Sequence, residues 1–317
     1  MRSRAAATST MTRSWTCISG ARVVMTMDMI SAILVSGLVL GSVYALMASG
    51  LSLVWTTLGI FNFAHGSLMA LGAYFAWTMT DAAGLNLWLG AGVAIAVAGM
   101  VGVGILIERT VIRPFYDDKD ILLITVMTTL AVMIFLEKGI QFMWGARLKQ
   151  LEPLVPGQVN LIGTTISAQE ALIIVLAPLL LGALWAFLRY SNTGRGIRAV
   201  GQNPAAAKLI GVDVSKLFIL TFALSAALAG LTGILLGSVR FITPTFGAEP
   251  LVKALIIVIF GGLGSLSGTI AAAYIIGVVE AALIFFVGIY WAPSMLFALL
   301  IAVLMLRPQG LFGKTVR

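Results

Sequence analysis

Few residues in this chain could do chemistry, and they stand far apart. The single histidine, His65, closes the run Asn62-Phe63-Ala64-His65 between two apolar segments. With no second histidine and one cysteine, Cys17, a multi-histidine metal site, a thiolate cluster and an internal disulfide are excluded. No acid accompanies His65 to form a catalytic pair. Two readings fit it: a histidine hydrogen-bonded at a helix start, or, more sharply, a polar group lining a pathway with Asn62. Glu280 stands near the middle of the apolar run 269–288, and Glu137-Lys138 lie within the run 121–144. A charge at bilayer depth costs roughly 2.5–3.5 kcal/mol on insertion scales, so such groups should face a bundle interior and are functional candidates. Glu137 and Lys138 fall late in their run and can also reach its end. The acids and the histidine form no proton-relay ladder. No catalytic residue, cofactor or metal ligand is expected.

Two glycine-rich stretches resemble nucleotide motifs and fail on spacing. Gly310-Leu-Phe-Gly313-Lys314-Thr315 has the end of a phosphate-binding loop, but Pro308 stands where that loop needs glycine. ATP binding through it is not expected. Gly261-Gly262-Leu263-Gly264-Ser265-Leu266-Ser267-Gly268 lacks the dinucleotide spacing and is flanked by apolar runs. Its glycines predict a broken membrane helix whose freed backbone groups face protein or a polar cavity; a loop at the membrane surface satisfies the same groups with water. In the pathway reading, Ser265 and Ser267 join Asn62, His65 and Glu280.

The elements that must position these residues follow from composition. Of 317 residues 60% are apolar and 10% charged, against about 25% charged in a soluble domain. The mean hydropathy is +1.06. This is an integral membrane protein. The net charge of +8 is spread between apolar runs rather than gathered on one soluble face, which argues against nucleic acid and for orientation in a bilayer and contact with anionic lipid. Apolar runs at 29–55, 61–80, 88–107, 121–144, 171–188, 217–239, 251–262, 269–288 and 294–306 are too continuous for barrel strands. They predict an all-α, polytopic membrane helical bundle of eight or nine segments, some short or broken. Ala98 and Gly102, four apart, predict a close helix contact. Leu40-Gly41-Ser42-Val43 is echoed by Leu236-Gly237-Ser238-Val239, too briefly to establish a repeat.

Residues 1–28 carry four arginines and no apolar core of a signal peptide. They are expected to be disordered or to precede the true start, since Met25, Met27 and Met29 are all plausible starts; 29–317 form the membrane domain. The loops 108–120, 189–216 and 307–317 hold eleven basic residues, while Lys138, Arg147, Lys149, Arg240 and Lys253 are assigned to the other side. The first group is therefore expected in the cytoplasm, with the C-terminus.

The loop 189–216 is the densest basic passage: Arg189, Arg195, Arg198, Lys208 and Lys216 against Asp213. Asn203 suits an N-cap, Pro204 a first helical turn and Gly211 a helix end, and Gly201 and Gly211 should allow tight turns. A short helix over 203–211 could dock another protein. The positive-inside rule alone also explains the charge, leaving an ordinary basic loop.

Five stretches resemble one family: GSVYALMASGLSLVW at 41–55, GIFNFAHG at 59–66, RYSNTGRGIRAVGQNP at 189–204, GGLGSLSG at 261–268 and RPQGLFG at 307–313. Together they look like the branched-chain amino-acid ABC-transporter permeases, the LivH-like half in particular, over about residues 30 to 313. The resemblance implies a permease subunit in a bacterial inner membrane, paired with a LivM-like permease, driven by two cytoplasmic ATPase subunits and fed by a periplasmic binding protein. ATP hydrolysis would then lie on other chains. The loop 189–216 becomes the coupling loop, with Arg195, Arg198, Gly201, Asn203, Pro204, Lys208 and Gly211 as its candidates. Leucine, isoleucine and valine are the leading substrates, with urea, short amides or another small compound as alternatives. A secondary transporter or channel and a membrane enzyme compete from other classes. The first should show coupling-ion ligands and matching halves, the second a nucleophile–base or metal constellation.

Overall fold

The computed structural model describes residues 4–82, 89–116, 118, 120–161, 163–307 and 309–313, without the side chains of 4–28, 81, 82 and 89–91. The expectation of disorder over 1–28 and the tail residues Lys314 and Thr315 fall outside what is described in full. The helices are α1 (Arg4–Leu58), α2 (His65–Trp77), α3 (Leu89–Ile107), α4 (Ile121–Trp144), α5 (Ala168–Tyr190), α6 (Asn192–Gln202), α7 (Pro204–Leu209), α8 (Val214–Gly237), α9 (Ala248–Gly261), α10 (Leu266–Val287) and α11 (Ala292–Leu306). A small antiparallel hairpin, β1 (Gln158–Leu161) and β2 (Thr164–Ser167), precedes α5.

Among the described residues, six stretches are long and apolar enough to cross a bilayer: Met29–Leu58, Gly92–Phe115, Ile121–Trp144, Ala168–Tyr190, Val214–Gly237 and Leu266–Val287. Helices α2, α9 and α11 have 13, 14 and 15 residues. At 1.5 Å per residue they reach about 20 Å of a roughly 30 Å hydrocarbon core. The protein is an all-α polytopic membrane bundle; α6 and α7 lie outside the apolar runs, and the other helices fall on them.

The core forms where small residues let backbones meet. Helices α1 and α10 run antiparallel, with Gly37 on Val278, Gly41 on Tyr274 and Gly277 on Gly41. Helix α2 runs beside α4 in the same direction: Thr129 Oγ1 accepts the Phe63 N–H (3.3 Å), and the Trp144 indole N–H donates to Thr78 Oγ1 (2.7 Å). Helix α8 lies between α2 and α3. A Cβ on Gly233 would strike the Met69 carbonyl, and one on Gly104 would press on Phe222 and Ala226. The expected contact through Gly102 is corrected, because nothing lies within 4 Å of a Cβ there. Gly104, two residues on and therefore on the far side of the helix, makes the approach instead.

Two ends emerge. At one, Ser31 meets Thr164 of the hairpin (3.2 Å), and Lys149 pairs with Ile242 in a backbone bridge. At the other, Tyr116, α6, α7 and the start of α8 share a buried apolar cluster with Leu53, Leu184 and Leu188. The segment 309–313 lies at the start of α10, near Ser52 through Thr269.

Candidate translocation and coupling sites

The chain turns back sharply between α1 and α2. Asn62 Oδ1 accepts the Ala64 N–H (3.1 Å), and the His65 N–H reaches the Asn62 carbonyl (3.2 Å). Both side chains are buried. His65 Nε2 lies 3.1 Å from the Met47 carbonyl and Nδ1 lies 3.4 Å from Ser225 Oγ. A carbonyl only accepts, so the network assigns the proton to Nε2, and Nδ1 accepts from the serine. The ring ties α2 to α1 and α8. The Asn62 amide nitrogen is buried with no protein partner among the described residues.

Glu280 belongs to a second place. Its carboxylate accepts from Lys253 Nζ (2.7 Å) on one oxygen and from the Tyr44 hydroxyl (2.7 Å) on the other. Lys253 also donates to Tyr44 (3.0 Å) and pairs with Glu249 (2.9 Å). The three donors of the ammonium are thus all used. Arg240 stands 4.0 Å from Glu249. Tyr44, Lys253 and Glu280 are buried, while Glu249 is largely exposed. This cluster locks α1, α9 and α10 together. Lys253, counted from sequence among the basic residues of the non-cytoplasmic side, is a buried α9 residue, where its ammonium has two carboxylates within reach. The sequence reading missed this partner, although Glu280 and Lys253 share the same signal of a charge inside an apolar run. Lys138 is exposed beside Gln141 (3.3 Å), and Glu137 is half-buried.

The third place is the turn between α9 and α10. Gly262 and Gly264 have φ of +96° and +90°, which favours glycine. Ser265 caps α10 by accepting the Gly268 N–H (3.1 Å), and Ser267 is exposed. The Leu311 N–H donates to the Phe260 carbonyl (2.8 Å), so tail residues answer part of the backbone that the helix break frees. Fifteen residues of α10 separate Ser265 from Glu280, roughly 22 Å at 1.5 Å per residue. The five pathway candidates therefore fall in three places, Asn62 with His65, Ser265 with Ser267, and Glu280 with its own partners.

The basic loop is more ordered than expected. Ser191 caps α6 by accepting the Gly194 N–H (2.8 Å). Gly194, Ile197 and Val200 recur at helical spacing and seat α6 on Leu184, Leu188, Leu217 and Phe218. Gly201 lies inside α6, against the Thr56 carbonyl, rather than in a turn. Close packing, not turning, is what requires glycine there. Asn203 ends α6 and caps α7, accepting the Ala206 N–H (3.0 Å) behind Pro204; Gly211, at φ +82°, follows α7. Arg195 reaches Asn192, and Arg198 donates to the Arg189 carbonyl (3.4 Å). Arg195, Arg198 and Lys208 are exposed. Lys216 pairs with Asp213 at 3.0 Å, and that hydrogen bond holds the Asp213 carboxyl below its usual range. Beside Lys208, Leu209 and Ile210 are 88% and 76% exposed, a pair that sequence reading passed over. A cavity of about 690 Å³ lies next to them, walled by Arg113, Tyr116, Lys208 and Phe218.

Residues 33–306 match the family described as branched-chain amino acid transport system / permease component. The chain belongs to this permease family. Relatives within reach include the high-affinity branched-chain amino acid permease LivH of Escherichia coli K12, 32% identical over 88% of this chain and 94% of that one. BraD of Pseudomonas aeruginosa is 32% identical over 89% and 95%. The ribose import permease RbsC of Escherichia coli K12 is more distant, 29% identical over 74% and 73%.

Proposed function

We propose that the chain is the LivH-like permease subunit of an ATP-driven importer in a bacterial inner membrane, carrying leucine, isoleucine and valine. It would pair with a LivM-like permease, take substrate from a periplasmic binding protein and be moved by two cytoplasmic ATPase subunits. In this reading the α6–α7 end and the C-terminus face the cytoplasm, as the excess of basic residues there supports.

One observation carries the coupling role. Helix α6 is seated by its buried face on α1, α5 and α8, while α7 stands out with exposed Leu209 and Ile210 at its tip. A push on α7 would reach the membrane helices through packed side chains. Exposed apolar residues beside Lys208 fit a protein partner better than water. The match to named branched-chain permeases supports the substrate class, and the ribose permease among the relatives keeps uncharged small compounds as the competing class. Nothing favours a secondary transporter, since the charges near Glu280 are already paired with one another.

The test is ATP hydrolysis. The purified chain alone should hydrolyse none, and the complete complex should be stimulated by leucine-loaded binding protein. Stimulation that survives Leu209→Glu with Ile210→Glu, in an assembled complex, would remove α7 from the coupling role.

A further inference from the structure

At the hairpin end a cavity of about 240 Å³ opens between α1, α5 and the end of α8. It is smaller than the pockets that hold drug-sized ligands. The echoed tetrapeptide builds its walls from both copies: Leu40 and Val43 come from one, Leu236 and Val239 from the other. Two charged side chains of opposite sign, Glu170 and Arg240, complete it. The lining thus combines apolar walls with one carboxylate and one guanidinium, the groups that meet the aliphatic side chain, the ammonium and the carboxylate of an amino acid.

We propose that this cavity is a resting site for the zwitterion of an aliphatic amino acid as it passes the hairpin end. Arg240 takes the carboxylate, Glu170 takes the ammonium, and the Leu40–Val43 and Leu236–Val239 walls take the side chain. The proposal rests on the amino-acid reading of the transporter and adds the place where this chain recognises the substrate. Both side chains are held in place with hydrogen-bonding capacity to spare. Glu170 Oε2 accepts the Ser167 N–H at 3.0 Å, which holds the carboxylate at the start of α5 and leaves its other oxygen available. Arg240 approaches Glu249 only to 4.0 Å, with 43% of its side chain exposed, and a guanidinium has five N–H donors to share. Lys253, by contrast, has no donor left. Both partners are partly open to solvent, so the site is weak, as suits a station between a binding protein and the membrane interior. A sugar or urea carries neither charge and offers the pair only hydrogen bonds, without the two ion pairs of a zwitterion.

The experiment uses the assembled transporter with Cys17→Ser and Val239→Cys, labelled by a small polar thiol reagent. Millimolar leucine should slow labelling several-fold, and ribose should not. Glu170→Gln retains a carbonyl oxygen for the Ser167 N–H while losing the charge, so the cap survives; this variant and Arg240→Gln should each abolish protection. Labelling indifferent to leucine, or protected equally in both charge variants or by ribose, overturns the site. Leucine uptake is measured on the same preparations. Uptake without protection sinks the cavity and leaves the transporter reading standing, whereas absent uptake from a complex bearing wild-type Val239 sinks that reading instead.

Discussion

The cluster around Lys253 and the loop 189–216 use the same charged residue types in opposite ways. In the cluster, Glu280 is 3% exposed and every donor of Lys253 is taken. In the loop, Arg195, Arg198 and Lys208 point outward, and the salt bridge of Lys216 with Asp213 is mostly exposed. A buried pair broken on one side leaves a charge without water or partner, while an exposed pair that breaks is simply resolvated. The first region should therefore govern whether the bundle holds, and the second what it does with other proteins.

The largest effect on stability belongs to the cluster. Lys253→Met strands Glu280 and should destabilise the purified protein by about 3–5 kcal/mol, seen as a sharp loss of thermostability in detergent. Lys253→Met with Glu280→Leu should recover much of that loss, since no lone charge remains. A double variant as unstable as the single one would mean that the cluster acts through shape rather than charge. Next come the glycines. Gly233→Ala drives a methyl into the Met69 carbonyl and should cost ~1–3 kcal/mol. Gly102→Ala meets open space and should be neutral or gain about 0.5–1 kcal/mol through helix propensity. Equal thermal behaviour of these two would contradict the packing of α8. Smaller still, Asn203→Ala removes the α7 cap at a cost of roughly 1 kcal/mol, confined to that helix. Coupling should weaken while the unfolding temperature of the bundle stays put. Smallest on stability are Leu209→Glu and Ile210→Glu, each within about 0.5 kcal/mol because the side chains touch little. Their effect should appear only as lost ATPase stimulation; an unfolding transition shifted as far as that of Lys253→Met would erase the contrast between the two regions.

The helices were legible because apolar runs and their breaks obey one constraint, the satisfaction of backbone groups in lipid. Asn203, Pro204 and Gly211 could be read for the same kind of reason, since capping is local in sequence. Helix α6 could not: its buried face is made by Gly194, Ile197 and Val200 among polar neighbours, and only the surfaces of α5 and α8 give that face a purpose. Lys253 reads from sequence only as an orientation charge, because its partner Glu280 lies on another helix 27 residues away. The hairpin β1–β2 escaped notice because its strands are four residues each. Asn62, His65, Ser265, Ser267 and Glu280 looked alike as polar breaks in apolar runs, yet three-dimensional packing gives them three separate settings.

The central claim is that this permease moves a branched-chain amino acid when ATPase subunits act on α7. It is tested most directly by uptake of labelled leucine into proteoliposomes that hold the complete complex, leucine-loaded binding protein outside and ATP inside. The account predicts ATP-dependent leucine accumulation that is absent without this chain and strongly reduced by Leu209→Glu with Ile210→Glu in an assembled complex. Accumulation of ribose or urea in place of leucine, or leucine uptake untouched by the α7 substitutions, would contradict it.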